Sequence, residues 1–322
     1  MTAVPRGVPP MLAVPGPLPP DEDAFAYEVK WDGVRALASV SDGQVHLESR
    51  KLVDITPRYP ELSDLTSCVG RPVLLDGEVV AFDEAGRPSF GHLQHRMHLT
   101  DPRDVRRRME THPVTFMVFD LLWLEDRFVV ELPYVERRQL LESLGLDHPC
   151  LSVPRNHVGD GAGLLAATRA QGLEGIVAKR LSSPYEPGRR SRSWVKVKAK
   201  PRQDVVVGGW IPGSGNRSGR IGALLAGYYD PSGLRFAGRV GTGFTERTLE
   251  ELGRALVSLE RPTSPFADSV PYKQARFVEP RLVADVEFGE WTAGGTMRHP
   301  SFKGLRDDKA PEEVVRETPA RQ

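Results

Sequence analysis

Residues 25–35 read Phe25-Ala26-Tyr27-Glu28-Val29-Lys30-Trp31-Asp32-Gly33-Val34-Arg35, and the fold is decided here first. Phe25, Tyr27 and Val29 fall on every second position, the period of a strand with one buried face. Glu28 and Lys30 therefore project together from the other face. The Asp32-Gly33 pair turns the chain tightly, and Arg35 opens the next apolar run. A lysine held against a sheet beside a carboxylate is either an exposed surface pair or a nucleophile in a pocket. The turn and the arginine behind it favour the pocket.

Outward from that stretch, the 322 residues are enough for about two domains, each with its own core. A chain 39% hydrophobic and 27% charged is expected to be soluble and globular, and no apolar run approaches membrane-spanning length. The proline-rich start, MTAVPRGVPPMLAVPGPLPP, has no basic-then-apolar leader pattern. Cys68 and Cys150 stand far apart without metal-ligand spacing, as expected of ordinary thiols in a reducing compartment. A cytoplasmic protein without membrane contact is expected.

The formal net charge is +0, but the charge is unevenly spread. Between Lys179 and Arg220 stand eleven basic residues and two acidic ones, a local excess of +9. The segments SSPYEPGRRSRS and PGSGNRSGR interleave these charges with Gly, Ser and Pro and read as mobile loops suited to tracking phosphates. Arg189, Arg190, Arg192 and Arg217 are the candidate contacts to a polyanion.

Strand patterns cover Phe25–Lys30, Arg35–Val40, Val45–Ser49, Val73–Phe82, Val114–Leu124, Gly175–Ala178 and Trp194–Lys200. Helical patterns cover Asp101–Glu110, Tyr134–Leu144 and Ala162–Gln171, the last stopping at Gly172. Strands that often neighbour strands make this an α+β domain. After residue 202 the character changes to short strands between glycine-rich turns: Asp204–Ile211, Ile221–Tyr229, Leu234–Val240 and Val283–Trp291, with one amphipathic helix near Thr245–Leu259. That pattern predicts a small β-barrel of the OB type, so the domains are expected at 1–202 and 203–322.

Five further motifs carry chemistry. In RPVLLDGEVVAF (71–82), Asp76 and Glu78 share one strand face; an exposed acidic pair at a bulge is the plain alternative. VTFMVFDLLWL (114–124) is a buried strand interrupted at Asp120, and on its own Phe119 reads as core. In EGIVAK (174–179), Glu174 ends a turn and Lys179 closes a strand. In SWVKVKAK (193–200), Lys196 and Lys198 project together and repel unless an anion lies between them. Cations there would also lower the pKa of Lys30 toward the neutral amine that a nucleophile requires. RHPSFKGLRDDK (298–309) closes the series.

Lys-x-Asp-Gly-x-Arg, followed in order by these motifs, resembles the nucleotidyl-lysine signature of ATP-dependent DNA ligases, RNA ligases and mRNA capping enzymes. The likeness runs from Pro10-Met11-Leu12-Ala13 to Lys309, and the EGIVAK and GLRDDK forms lean toward DNA ligases. It implies an adenylation domain followed by an OB-fold domain that swings during the cycle. Lys30 would be the nucleophile, Glu28 would accept from the adenine amino group, and Phe119 would stack on the base. Arg35, and Arg50 within Ser49-Arg50-Lys51, would belong to the nucleotide site. Glu78 would contact the ribose and, with Glu174, serve the metal. Lys196 and Lys198 would hold the α-phosphate, and Arg306 and Lys309 the β- and γ-phosphates. Ser301 and Gly304 stand where arginines are usual in eukaryotic members, so neither carries a role.

The resemblance implies ATP and Mg²⁺ (or Mn²⁺) as cofactors and nicked duplex DNA as partner. A stand-alone repair polymerase/primase or Ku is compatible, with the chain itself a monomer. GRVGTGF (238–244) and EFGEWT (287–292) look most like bacterial ligases of the C and D types. With no fused polymerase or nuclease in view, the stand-alone ligase C type is expected. An RNA guanylyltransferase or RNA ligase is the nearest alternative, and a non-catalytic nick-binding protein a more distant one.

Overall fold

The computed structural model describes residues 4–97, 99–199, 201–213, 220–292 and 294–317. Arg217, a candidate polyanion contact, lies outside the described residues. The chain divides into two compact units, Met1–Ala199 and Lys200–Thr318.

Two sheets build the first unit. One is ordered Leu12–Pro15, Arg190–Lys198, Gly175–Arg180, Phe25–Val29, His157–Val158. The other runs Gln44–Ser49, Val34–Ser41, Val73–Ala81, Val114–Leu124, Arg127–Phe128, with Leu151–Ser152 paired to Val114–Leu124. The alternation in residues 25–29 places Phe25 and Tyr27 on a cluster with Ile176, Ala178, Val197 and Leu165. Leu165 comes from the helix Gly161–Ala170, which Asp160 caps by accepting the Gly163 N–H. Gly172 follows that helix with φ +71°, the left-handed stop its sequence predicts.

The second sheet buries Val34, Ala36, Val79, Phe116 and Val118 on one side. Its other side contributes Leu37, Leu74 and Leu122 to a cluster that also contains Met11, Tyr185 and Trp194, with Phe119 and Val177 packed on it. The two sheets therefore face each other across a seam.

One strand of this unit was not among the predicted ones, and one expectation needs correction. The proline-rich start contains a strand, Leu12–Pro15, parallel to Arg190–Lys198. Arg190 and Arg192 accordingly lie in an ordered strand where a mobile loop was expected, because Leu12–Pro15 supplies that strand with a hydrogen-bonding partner. Arg190 also donates to the Ala13 carbonyl at 2.8 Å.

In the second unit, Gly233–Val240, Ile221–Asp230, Arg202–Pro212 and Arg276–Glu287 form a continuous sheet, with Ser301–Leu305 paired to the last. A parallel bridge between Thr242 and Ser301, with the Phe302 N–H on the Thr242 carbonyl at 2.9 Å, joins the two ends. The sheet thus curls on itself as an OB-type barrel. The helix Glu246–Val257 packs Leu249, Leu252 and Leu256 against the barrel interior. The last long strand begins at Arg276, well before the expected Val283, and ends at Glu287. Its early half escapes the period-2 pattern because the register slips around Pro280, opposite the Val207/Gly209 irregularity. Ser301–Leu305 is a strand that lies inside RHPSFKGLRDDK (298–309).

Gly175 has φ +145°, and a Cβ there would lie 2.2 Å from the Val197 carbonyl oxygen. Gly172 also has positive φ but opens onto free space. Gly175→Ala should therefore cost more than about 2 kcal/mol, and Gly172→Ala about 1 kcal/mol. Thermal unfolding of the two variants checks the order; equal losses would remove the steric argument.

Candidate active site

Strand register assembles the site. Glu28, Val177 and Lys196 are direct neighbours across three strands, as are Ala26, Lys179 and Trp194. Gly175 pairs with Lys198, and the Lys30 N–H donates to the Gly175 carbonyl at 2.9 Å. Directly opposed residues share a face, so Lys30, Glu28, Lys179, Lys196 and Lys198 stand on one side of this sheet. Their strand neighbours Tyr27, Ile176, Ala178 and Val197 fill the core on the other.

The Lys30 Nζ donates to Glu174 Oε2 at 2.5 Å, with the carboxylate largely buried. Burial alone would lower the Lys30 pKa, but Glu174, and behind it Glu78 and Asp32, outweigh that, and the ammonium is held above its ordinary value. The expectation that cations nearby favour a neutral Lys30 amine is therefore corrected: the carboxylates around it hold the ammonium instead.

Glu28 is buried. Its Oε1 accepts from the Tyr134 hydroxyl at 2.6 Å, and its Oε2 lies 3.0 Å from the Lys179 Nζ. Lys179 is buried too, donates to the Phe119 carbonyl at 3.0 Å, and sits 4.5 Å from the Phe119 ring centroid. Burial pushes its pKa down, against the pull of Glu28 and Asp120. Asp120, the polar break in a buried strand, is held by the two-pronged fork of Arg137 at 2.8 and 3.0 Å.

Across the seam, Asp76 and Glu78 do share a face but are not an exposed pair. Asp76 is fully buried and grips Arg35 at 2.5 and 2.6 Å. It also accepts from the Tyr185 hydroxyl at 2.6 Å. The bulge expected at Gly77 lies instead on the facing strand: Asp76 pairs with Asp120 and Gly77 with Val118, which leaves Phe119 as the extra residue, and a Cβ at Gly77 would strike the Phe116 ring at 2.5 Å. The guanidinium of Arg35 lies 4.7 Å from the Phe119 ring centroid, so two side-chain cations rest against that ring.

Other predicted residues fall elsewhere. Arg50 is half-buried in the turn after Gln44–Ser49, while Arg189, Arg190 and Arg192 are exposed. In the barrel unit Arg306 makes a two-pronged pair with Asp308, 2.8 Å on each prong, and Lys309 is paired with Asp204. Tyr134, Tyr185 and Arg137 were not singled out from the sequence. Each reads locally as a helix or loop residue, and only tertiary contacts bring it to the seam.

Among the described residues, no three His, Cys, Asp or Glu side chains are grouped to hold a metal ion. Glu174 and Glu78 offer hard oxygen donors beside Lys30, a partial set of the kind Mg²⁺ completes with water and phosphate oxygens. None of the helices is long and apolar enough to cross a membrane, among the described residues.

The ATP dependent DNA ligase domain model matches residues 10–198, and the ATP dependent DNA ligase C terminal region model matches 217–309. The chain is 45% identical over 313 residues to the multifunctional non-homologous end joining DNA repair protein LigD of Mycobacterium tuberculosis, covering 96% of this chain and 40% of that protein. It thus spans about two fifths of that relative's length. It is 30% identical to the DNA ligase of Thermococcus onnurineus, over 90% of this chain and 52% of the relative. Among solved structures, a mycobacterial DNA ligase D complexed with ATP and MES superposes with a TM-score of 0.74 at 42% identity, covering 96% of this chain and 98% of the other. With the lysine signature at the edge of a two-sheet seam and a curled barrel following, these matches place the chain in the ATP-dependent DNA ligase family.

Proposed function

We propose that this ligase seals nicks in duplex DNA through an adenylate carried on Lys30 and then on the DNA. The observation that carries the reading is the row of Lys30, Gly175 and Lys198 beside that of Glu28, Val177 and Lys196, with Glu174 at 2.5 Å from the Lys30 amine. Such a face pairs one amine nucleophile with cations for a phosphate and carboxylates for a metal.

In the first step the Lys30 Nζ attacks the α-phosphorus of ATP, a P–N bond forms, and the P–O bond to pyrophosphate breaks in line. The ammonium must first lose a proton, which leaves to solvent, and the Glu174 carboxylate in contact with the amine keeps it in place. Lys196 and Lys198 neutralise the α-phosphate. Glu174 and Glu78 would hold Mg²⁺, or Mn²⁺ in its place, which supplies charge neutralisation on the phosphates. AMP then passes to the 5′-phosphate of the nick, and the 3′-hydroxyl attacks that phosphate to release AMP. Positioning and electrostatics carry each step.

Base recognition follows from Glu28 and Lys179. A carboxylate acceptor beside an ammonium donor suits the amino group and N1 of adenine, whereas guanine presents the inverse pair. Stacking on Phe119 then exchanges one of the cation contacts to that ring for the base. Arg35 forms the wall behind the ring, and Arg50 is assigned to a ribose or nick contact. Arg189, Arg190 and Arg192 are assigned to the DNA backbone through exposure and charge. The assigned domain limits are 1–202 and 203–322, and Arg306 and Lys309 are assigned to the leaving pyrophosphate. The likeness to end-joining proteins supports a place in DNA end repair, with a polymerase/primase or Ku as partner.

Lys30→Ala should form no covalent adenylate with α-labelled ATP yet still seal a nick that already carries 5′-AMP. Labelling of that variant would refute the nucleophile.

Glu174→Gln should slow self-adenylation at least about ten-fold. It should also move the acidic limb of the pH–rate profile to lower pH. Attack needs the neutral amine, Glu174 is the largest influence holding its pKa up, and without it only the weaker pull of Glu78 and Asp32 opposes burial. An unmoved or alkaline-shifted limb would contradict this.

Changing Arg306 and Lys309 together to Ala should slow adenylation about 100-fold while leaving sealing of a pre-adenylated nick within a few-fold. Equal loss at both steps would overturn the pyrophosphate role.

A further inference from the structure

The loop between Gly175–Arg180 and Arg190–Lys198 sends one side chain into the seam, and it has no part in the chemistry described above. Tyr185 is 2% exposed. Its hydroxyl donates to Asp76 Oδ2 at 2.6 Å and accepts the Met11 N–H at 2.9 Å. Asp76 spends both oxygens on the Arg35 fork, and Arg35 also reaches the Met11 carbonyl at 3.3 Å. Tyr185, Asp76, Arg35 and the Met11 backbone therefore form a closed circuit, tying the loop and the N-terminal strand region to the opposite sheet.

The circuit bears on one ring. Arg35 lies 4.7 Å from the Phe119 centroid and 5.7 Å from that of Trp194. The Tyr185 ring meets Trp194 edge-on at 5.6 Å, and Trp194 meets Phe119 edge-on at 6.3 Å. Phe119 is thus braced twice from Tyr185, once through Asp76 and Arg35 and once through Trp194. We infer that Tyr185 is a positioning residue that fixes the Phe119 ring for the base of ATP, acting through Asp76 and Arg35. The inference rests on the reading of Phe119 as the stacking residue.

Physical chemistry supports a positional role over a purely stabilising one. The Arg35–Asp76 pair is satisfied without the tyrosine, because two short hydrogen bonds already join them. A guanidinium with two rigid bonds still pivots with its carboxylate, and Asp76 has the Tyr185 hydroxyl as its further hydrogen-bonding anchor. Removing that hydroxyl leaves the ring of residue 185 packed and the ion pair intact, but frees the pair to shift. A stacking platform displaced by a fraction of an ångström loses overlap with the base while the reacting groups on the other sheet stay in place.

The test is Tyr185→Phe in the full chain, with self-adenylation followed over a range of ATP. The KM for ATP should rise about ten-fold while the rate at saturating ATP stays within two-fold. Asp76→Asn, which keeps the shape of the side chain, should raise the same KM, and the double variant should be no worse than the worse single one. Phe119→Ala is measured alongside. A raised KM in Phe119→Ala with an unchanged KM in Tyr185→Phe would overturn the positioning role and leave the stacking reading standing. An unchanged KM in Phe119→Ala would overturn the stacking reading and this inference with it. A lowered Tm in Tyr185→Phe without a KM change would show a structural tyrosine only.

Discussion

The contact between Lys30 and Glu174 is where the first unit's architecture becomes chemistry. It requires the Lys30 N–H to bond the Gly175 carbonyl, so that residue 30 continues the register of Phe25–Val29 one step past the strand's end. It also requires a glycine at 175, because the backbone there runs too close to Val197 for any side chain. Given those two constraints, Lys30, Glu28, Lys196 and Lys198 fall on one face without further adjustment. The same alternation that buries Tyr27 and Ile176 raises Glu28 and Lys196 on the other side.

The second constraint is electrostatic. Within the seam lie two tightly bound pairs, Arg35 with Asp76 and Arg137 with Asp120, and the buried Lys179 beside Glu28. Buried ion pairs contribute little net stability and are costly to break on one side only. Their value here is geometric. Each carboxylate is held by a fork with a defined direction, so the backbone carrying Phe119 and Asp120 has little freedom relative to the strands carrying Lys179 and Arg35. A purely apolar seam of the same volume would pack as well and orient nothing.

The barrel unit repeats the theme with different economics. Its closure rests on main-chain bonds between the region after Gly233–Val240 and the strand Ser301–Leu305. The cations that follow that strand, Arg306 and Lys309, are engaged by Asp308 and Asp204. Such pairing holds two long cationic side chains in a defined direction.

Much of this was legible in the linear chain. Alternation in residues 25–30 and 193–198, the helix stop at Gly172 and the glycine-rich turns after residue 202 report local geometry, and local geometry is what sequence periods encode. Short motifs in a fixed order carried the family, because one fold sets the order in which its strands bring those residue types to the site. What the sequence could not reveal were quantities set by neighbours distant along the chain. The charge state of Lys30 depends on a carboxylate 144 positions away, and the anchoring of Asp76 on a tyrosine 109 positions away. The strand at Leu12–Pro15 exists because Arg190–Lys198 offers it an edge, and Arg190 and Arg192 are ordered for the same reason. Periodicity and motif order thus determined the elements and the chemistry they bear. Proton affinity, burial and side-chain direction were decided only when the sheets closed on each other, since these depend on dielectric and contact distance, which no linear spacing contains.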